Sequence, residues 1–243
     1  MAAVSGEAPK ITLYTNHRCP WAHRAHIVIK ELGLPYEESI IDLDRPRDPW
    51  YLEVNPRGLV PSIKYSSDSV KDEIITESGV VAQFLADAHP SHLVPSTGDP
   101  KASLARARIQ FFVETWFSKA NSFWFQILTK DTQEEKEELS KQLVAAVEKE
   151  IEPLLKDAKP FFGGSERLTL AEALTAPFVL RIYALAKHDI IPKSTLSSFE
   201  ALPNFSKWAA EVIKHDSVTY IWDEEKVIAG TQARIAKLKA QAK

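Results

Sequence analysis

Residues 10–32 read KITLYTNHRCPWAHRAHIVIKEL, and the fold turns on how this run divides. Lys10–Thr15 alternates polar and apolar side chains, the pattern of a half-buried strand. Asn16, His17, Arg18 and Cys19 make a short loop. Pro20 then stands where a helix best accepts proline, because the first turn has no use for its missing N–H. The helix runs to Leu32 and stops at Gly33, a natural C-terminus. A strand therefore hands the chain to a helix mouth, and Cys19 sits at that mouth.

Working outward, Tyr36–Leu43 reads as a second strand and Asp48–Val54 as a short helix or irregular turn. Asn55–Gly58 is a turn cluster, followed by the extended run Leu59–Lys64. Ser66–Ser69 breaks the chain before a strand at Asp72–Thr76, and an amphipathic helix at Glu77–His89 is closed by Pro90. Strand, helix, strand, then strand, strand, helix is the order of a thioredoxin-like α/β unit. Pro90–Pro100 has the composition of a linker. Beyond it, Lys101–Leu128, Gln133–Lys156, Pro203–Lys214 and Thr231–Lys243 are helical in pattern, and Phe161–Gly164 is a turn. Thr169–Glu172 has the spacing of a capping box, opening an Ala- and Leu-rich helix. The expected division is a thioredoxin-like domain at 1–90, a linker at 91–100 and an all-helical domain at 101–243.

Composition narrows the function. In 243 residues, 44% are hydrophobic and 26% charged, enough for sizeable cores and unlike a disordered chain. A net charge of −3 lacks the basic excess of a nucleic-acid protein, and the basic residues near the C-terminus, Arg234 to Lys243, read as a solvated helix face. Met1–Lys10 lacks a signal-peptide pattern. Ala173–Ala186 is too short to span a membrane and carries Arg181. The expectation is a soluble, cytoplasmic protein.

The chain holds one cysteine, so no internal disulfide can form. At a helix mouth, free N–H groups and the helix dipole favour a thiolate, and His17, Arg18, His23 and Arg24 add positive potential. The expectation is a Cys19 pKa below that of a free thiol. The motif is Cys-Pro-Trp-Ala, without the resolving cysteine of Cys-x-x-Cys. A disulfide on Cys19 must be released by an outside thiol, and glutathione is the abundant candidate. A buried structural thiol is the blander alternative, made weak by this position. A metal set of Cys19, His23 and His26 lacks an acidic residue within the run to complete it, so no metal is expected.

Two further segments fit a peptide thiol. Val60–Pro61 is a candidate cis bond whose Val60 N–H and C=O offer an edge to a short peptide. Glu77–Ser78 opens a helix, where N–H groups and a hydroxyl suit a carboxylate and Glu77 suits an ammonium. An ordinary helix cap is the plain alternative.

Cys19-Pro-Trp-Ala-His-Arg, Asn55-Pro-Arg-Gly-Leu-Val-Pro61, Thr76-Glu-Ser-Gly79 and Phe161-Phe-Gly-Gly with the Thr169–Glu172 cap together resemble the cytosolic glutathione transferases. The cysteine makes the resemblance greatest to the omega class. It implies that Cys19 forms a mixed disulfide with glutathione, that Val60 pairs with the tripeptide backbone, and that Glu77 and Ser78 hold its γ-glutamyl end. Arg47 falls near the glycine carboxylate, and Trp21 joins the same glutathione-binding set. Trp116 and Trp124 on the first long helix, Arg181, and Trp222 in the C-terminal segment become the expected lining for a hydrophobic or disulfide-bearing acceptor. The implied protein is a homodimeric thiol transferase or glutathione-dependent reductase acting on mixed disulfides, with dehydroascorbate a further candidate. The same wording is similar to glutathionyl-hydroquinone reductases, and a non-catalytic interaction protein on this fold is the alternative from another class.

Overall fold

The computed structural model describes residues 8–98 and 100–241. Residues 1–7, Asp99 and the last two positions, among them Lys243 of the expected C-terminal helix face, lie outside the described residues.

The N-terminal elements are β1 (Lys10–Thr15), α1 (Pro20–Leu32), β2 (Glu37–Ile40), α2 (Pro49–Val54), β3 (Ser62–Ser66), β4 (Glu73–Thr76) and α3 (Ser78–Ala88). The four strands form one sheet in the order β2-β1-β3-β4. β1 and β2 pair in parallel through the α1 crossover, whereas β3 pairs antiparallel with both β1 and β4. This is the thioredoxin-like sheet that the element order implies. Leu13, Ile27, Ile63 and Leu85 are fully buried between sheet and helices. β2 is shorter than its sequence pattern, because an edge strand with exposed Ile40 has little apolar surface to hold it longer.

The rest is helical: α4 (Ala102–Thr115), α5 (Asn121–Ile127), α6 (Gln133–Ala146), α7 (Leu170–Lys187), α8 (Ser194–Glu200), α9 (Pro203–Val212), α10 (Asp216–Thr219) and α11 (Glu224–Gln241). The expected single helix from Lys101 is interrupted by a π-helical turn at Trp116–Ala120. Another π turn, Val147–Ile151, ends α6. Short α8 and α10 carry too few residues to show a helical period in the sequence. The capping box forms: the Glu172 carboxylate accepts from the Thr169 N–H at 2.9 Å and also from the Trp208 indole N–H at 2.8 Å. Among the described residues, no helix is long and apolar enough to cross a membrane.

α1 positions everything that follows. One face packs on the sheet and the other on α7, so Ala22 through Ile29 are all buried, including His23, Arg24 and His26. Three polar side chains on a helix enclosed on both faces must each find partners inside the protein.

Candidate active site

Cys19 is the residue before α1, with Pro20 opening the helix. Its Sγ lies 3.9 Å from the Val60 carbonyl oxygen across the sheet edge. The Val60–Pro61 bond is cis. Together with Trp21, Arg47, Glu77 and Ser78, both residues line one cavity of about 420 Å³. The structure thus gathers Cys19, Val60, Glu77, Ser78, Arg47 and Trp21, drawn from four separate stretches of sequence, around a single opening.

Each is held differently. Ser78 is the first residue of α3, and its hydroxyl accepts from Arg24 Nη1 at 3.0 Å. Glu77 caps that helix at φ 68°, a left-handed conformation that a non-glycine residue adopts only at some expense. Its carboxylate is paired with Arg57. Arg47 donates to the carbonyls of Gly58, Asp42 and Arg45, tying two loops together at the rim. Gly58 is required beneath it: φ is 63°, and a Cβ there would stand 2.9 Å from Arg47 Cγ.

The electrostatics correct the expectation for the thiol. Burial pushes the Cys19 pKa up from its ordinary value, outweighing the amides of Ala22 and Trp21 and the charges of Arg181 and Arg234. His23 adds no positive charge. Burial first, and Arg181 second, hold its imidazole well below the usual range. A neutral His23 donates from Nε2 to the Val218 carbonyl at 2.8 Å and accepts at Nδ1 from Arg181 Nη1 at 3.1 Å.

Four expected acceptor contacts move. Trp116 and Trp124 are buried in the helical core, where both indole N–H groups donate to Asn121 Oδ1, so neither faces the opening. Arg181 is 2% exposed and joins the two halves of the molecule. It donates to the carbonyls of His17 and Arg18 at 3.4 and 3.2 Å, and to Pro177 at 2.8 Å. A charge inside an apolar helix marks an internal anchor here: it holds the loop that carries Cys19 and lines neither the Cys19 cavity nor the groove beside it. Trp222 lies over the Arg181 guanidinium, 5.1 Å from ring centre to carbon, and lines a different cavity. The trio weighed as metal ligands does not converge either, since His26 turns to Thr15 and Tyr36 while His23 faces Arg181.

In place of these, a groove of about 840 Å³ adjoins the Cys19 cavity, sharing Trp21, Arg24 and Gly79 with it and lined further by Val80, Phe117, Phe125 and Leu174. Phe117 and Phe125 each stand next in sequence to one of the tryptophans Trp116 and Trp124, and the sequence pattern does not say which of these rings face out. Arg24 was counted only as nearby charge. Its guanidinium is enclosed by Trp21, Phe117 and Phe178 at 4.5, 4.2 and 5.1 Å, and its Nε donates to the Leu174 carbonyl at 2.8 Å. Its spacing of three from Trp21, on the same helix face, was the available signal.

Comparison with known proteins gives this geometry a family. Residues 18–88 match the family model described as glutathione S-transferase, N-terminal domain. Glutathione S-transferase omega-1 of Mus musculus is 30% identical over 190 residues, covering 76% of this chain and 72% of its own length. Probable glutathione S-transferase DHAR2, chloroplastic, of Oryza sativa subsp. japonica is 25% identical over 220 residues, 89% of this chain and 70% of its own. Among solved structures, glutathione transferase Omega 2C from Trametes versicolor superimposes with a TM-score of 0.78 at 27% identity, over 93% of this chain and 99% of that one. Likeness of this extent to omega proteins in both sequence and structure makes the chain a member of the glutathione transferases, of omega-like type.

Proposed function

We propose that this transferase works as a glutathione-dependent thiol transferase and reductase through Cys19. The observation that carries the reading is the placement of the single cysteine at the mouth of α1, 3.9 Å from the Val60 carbonyl oxygen, in a cavity also lined by Arg47, Glu77 and Ser78. Kinship with both omega-1 and DHAR2 proteins supports transferase or reductase chemistry.

The Cys19 thiolate attacks the glutathione sulfur of a mixed disulfide. The S–S bond breaks, the acceptor leaves as a thiolate that takes up a proton, and Cys19 keeps the glutathione as a new disulfide. With no second cysteine to resolve it, the thiolate of another glutathione attacks the bound glutathione's sulfur. Oxidised glutathione departs and the Cys19 thiolate is restored. Val60 offers backbone N–H and C=O to the tripeptide, Ser78 and the α3 amides receive the γ-glutamyl carboxylate, and Glu77 receives its ammonium. Arg47, at the opposite rim, faces the glycine end. The acceptor enters by the Trp21–Phe117–Phe125 groove. A homodimer belongs to the same reading, supported by the large apolar side chains that Ile74, Leu104 and Phe111 expose on β4 and α4.

Intact-mass measurement after exposure to oxidised glutathione tests the proposal. One glutathione adduct on Cys19, absent in Cys19→Ser, together with loss of disulfide exchange in that variant, is the expected result. Undiminished thiol transfer by Cys19→Ser would falsify it.

A further inference from the structure

The loop leading to Cys19 begins at a second cluster of donor atoms. His17 follows β1, His26 lies on α1 and Glu38 on β2. One ring nitrogen from each histidine and one carboxylate oxygen lie within 4.8 Å of one another. We propose that His17, His26 and Glu38 form a binding site for a divalent transition-metal ion of the zinc type.

Two imidazoles and a carboxylate are the donor set of an open three-ligand zinc centre, and unlike carboxylates alone they favour such an ion over magnesium or calcium. The present spacings are 2.7 Å from His17 Nε2 to Glu38 Oε2 and 3.8 Å from His26 Nδ1 to Glu38 Oε1. They bracket the separation of about 3.3 Å between ligands on a tetrahedral ion with bonds near 2.0–2.1 Å. The two contacts run to different oxygens of the one carboxylate, so binding requires His17 to move off Oε2 and both rings to turn toward a shared point.

The support behind the ligands is also in place. His26 is fully buried, and its far nitrogen Nε2 lies 2.8 Å from the Thr15 hydroxyl. A ring that donates from Nε2 to Thr15 turns the Nδ1 lone pair toward the carboxylate, as a histidine ligand oriented by an outer partner does. Tyr36 braces both groups, its oxygen 3.3 Å from His26 Nδ1 and its hydroxyl proton on Glu38 Oε1 at 3.0 Å. An ion between Nδ1 and the carboxylate would serve both. The fourth position is open, since His17 and Glu38 line a cavity of about 420 Å³ that contains neither Cys19 nor Val60. Binding replaces the hydrogen bond between His17 and Glu38 with a bond from each to the metal.

The test uses the full chain carrying Cys19→Ser, so that the thiolate cannot take the metal. Zinc chloride is titrated calorimetrically, and cobalt(II) is added separately for its visible absorption spectrum. The expected result is one saturable zinc equivalent and a tetrahedral cobalt band. His17→Ala and Glu38→Gln should each weaken zinc binding at least tenfold. Both positions are at least partly exposed, so these variants test the site without disturbing the core that holds His26. Absence of saturable binding, or zinc affinity in His17→Ala and Glu38→Gln equal to that of the Cys19→Ser parent, overturns the proposal.

Discussion

Arg24 Nη1 donates to the Ser78 hydroxyl at 3.0 Å, so a side chain from the middle of α1 orients the first residue of α3. With its lone pair engaged, the Ser78 hydroxyl is free to donate into the Cys19 cavity. Arg24 also raises the positive potential there while staying out of water, enclosed by three aromatic rings.

Arg24→Met should raise the KM for glutathione by tenfold or more, the scale of a lost charge-assisted hydrogen bond at about 1.5–3 kcal/mol. Arg24→Lys retains the charge but not the planar fork, and should fall between the variant and the parent. Glutathione KM, with thermal melts to confirm the fold, decides the matter. Parental affinity in a folded Arg24→Met protein would show that Ser78 needs no such support.

The acceptor groove gives a contrast between neighbouring rings. Phe117→Ala and Phe125→Ala should raise KM for bulky aromatic acceptors more than for small ones, because both rings line the groove. Trp116→Phe and Trp124→Phe should instead lower stability, by about 1–3 kcal/mol, since each loses an indole donor to buried Asn121. Steady-state kinetics with a large and a small acceptor, alongside urea titrations, separates the two pairs. If the two tryptophan variants shift acceptor KM and the phenylalanine variants do not, the groove has been assigned to the wrong face.

This contrast also marks where the sequence stops being readable. Strand alternation, Pro20, Gly33 and the capping box at Thr169 are local signals, and the elements they mark form where expected. Cys19, Val60 and Ser78 could be brought together in thought because topology fixes where a helix mouth and a strand head must meet. Which face of a helix looks into a cleft is set by packing against partners distant in sequence. Trp116 and Phe117 are adjacent, yet one is core and the other groove, and the π turn that begins at Trp116 shifts the helical phase at that point. Arg181 shows the same limit, because its carbonyl partners at His17 and Arg18 lie over 160 residues away. The Cys19 pKa fails for another reason: the helix mouth is a local feature, whereas burial is a property of the whole fold.

Burial of the thiol leads to a pH prediction with a definite sign. Only the thiolate reacts, and desolvation holds the Cys19 pKa above its ordinary 9.0. In the glutathione-free protein, the rate of iodoacetamide alkylation should rise through neutral pH and still be rising at pH 9. A plateau below pH 8 would mean that the helix amides and Arg181 outweigh burial, as the motif alone suggests.

His23 links pH to stability through the contact between the two halves of the molecule. Buried beneath Arg181 and Val218, it stays neutral in the folded protein, its pKa held well below 6.5 by burial and by the guanidinium. The unfolded chain binds this proton near the ordinary value, so below about pH 6.5 the unfolded state takes up more protons than the native one. The stability contributed by neutral His23 is therefore complete above that pH and is lost as pH falls toward the depressed native value. Urea midpoints should decline from pH 7.5 to pH 5. His23→Gln removes the titrating group while its amide can still donate to Val218 and its carbonyl accept from Arg181. The variant should lose less stability over the same interval, and comparing the two slopes cancels every other titrating group. Equal declines in both proteins would show that His23 is not the group being protonated.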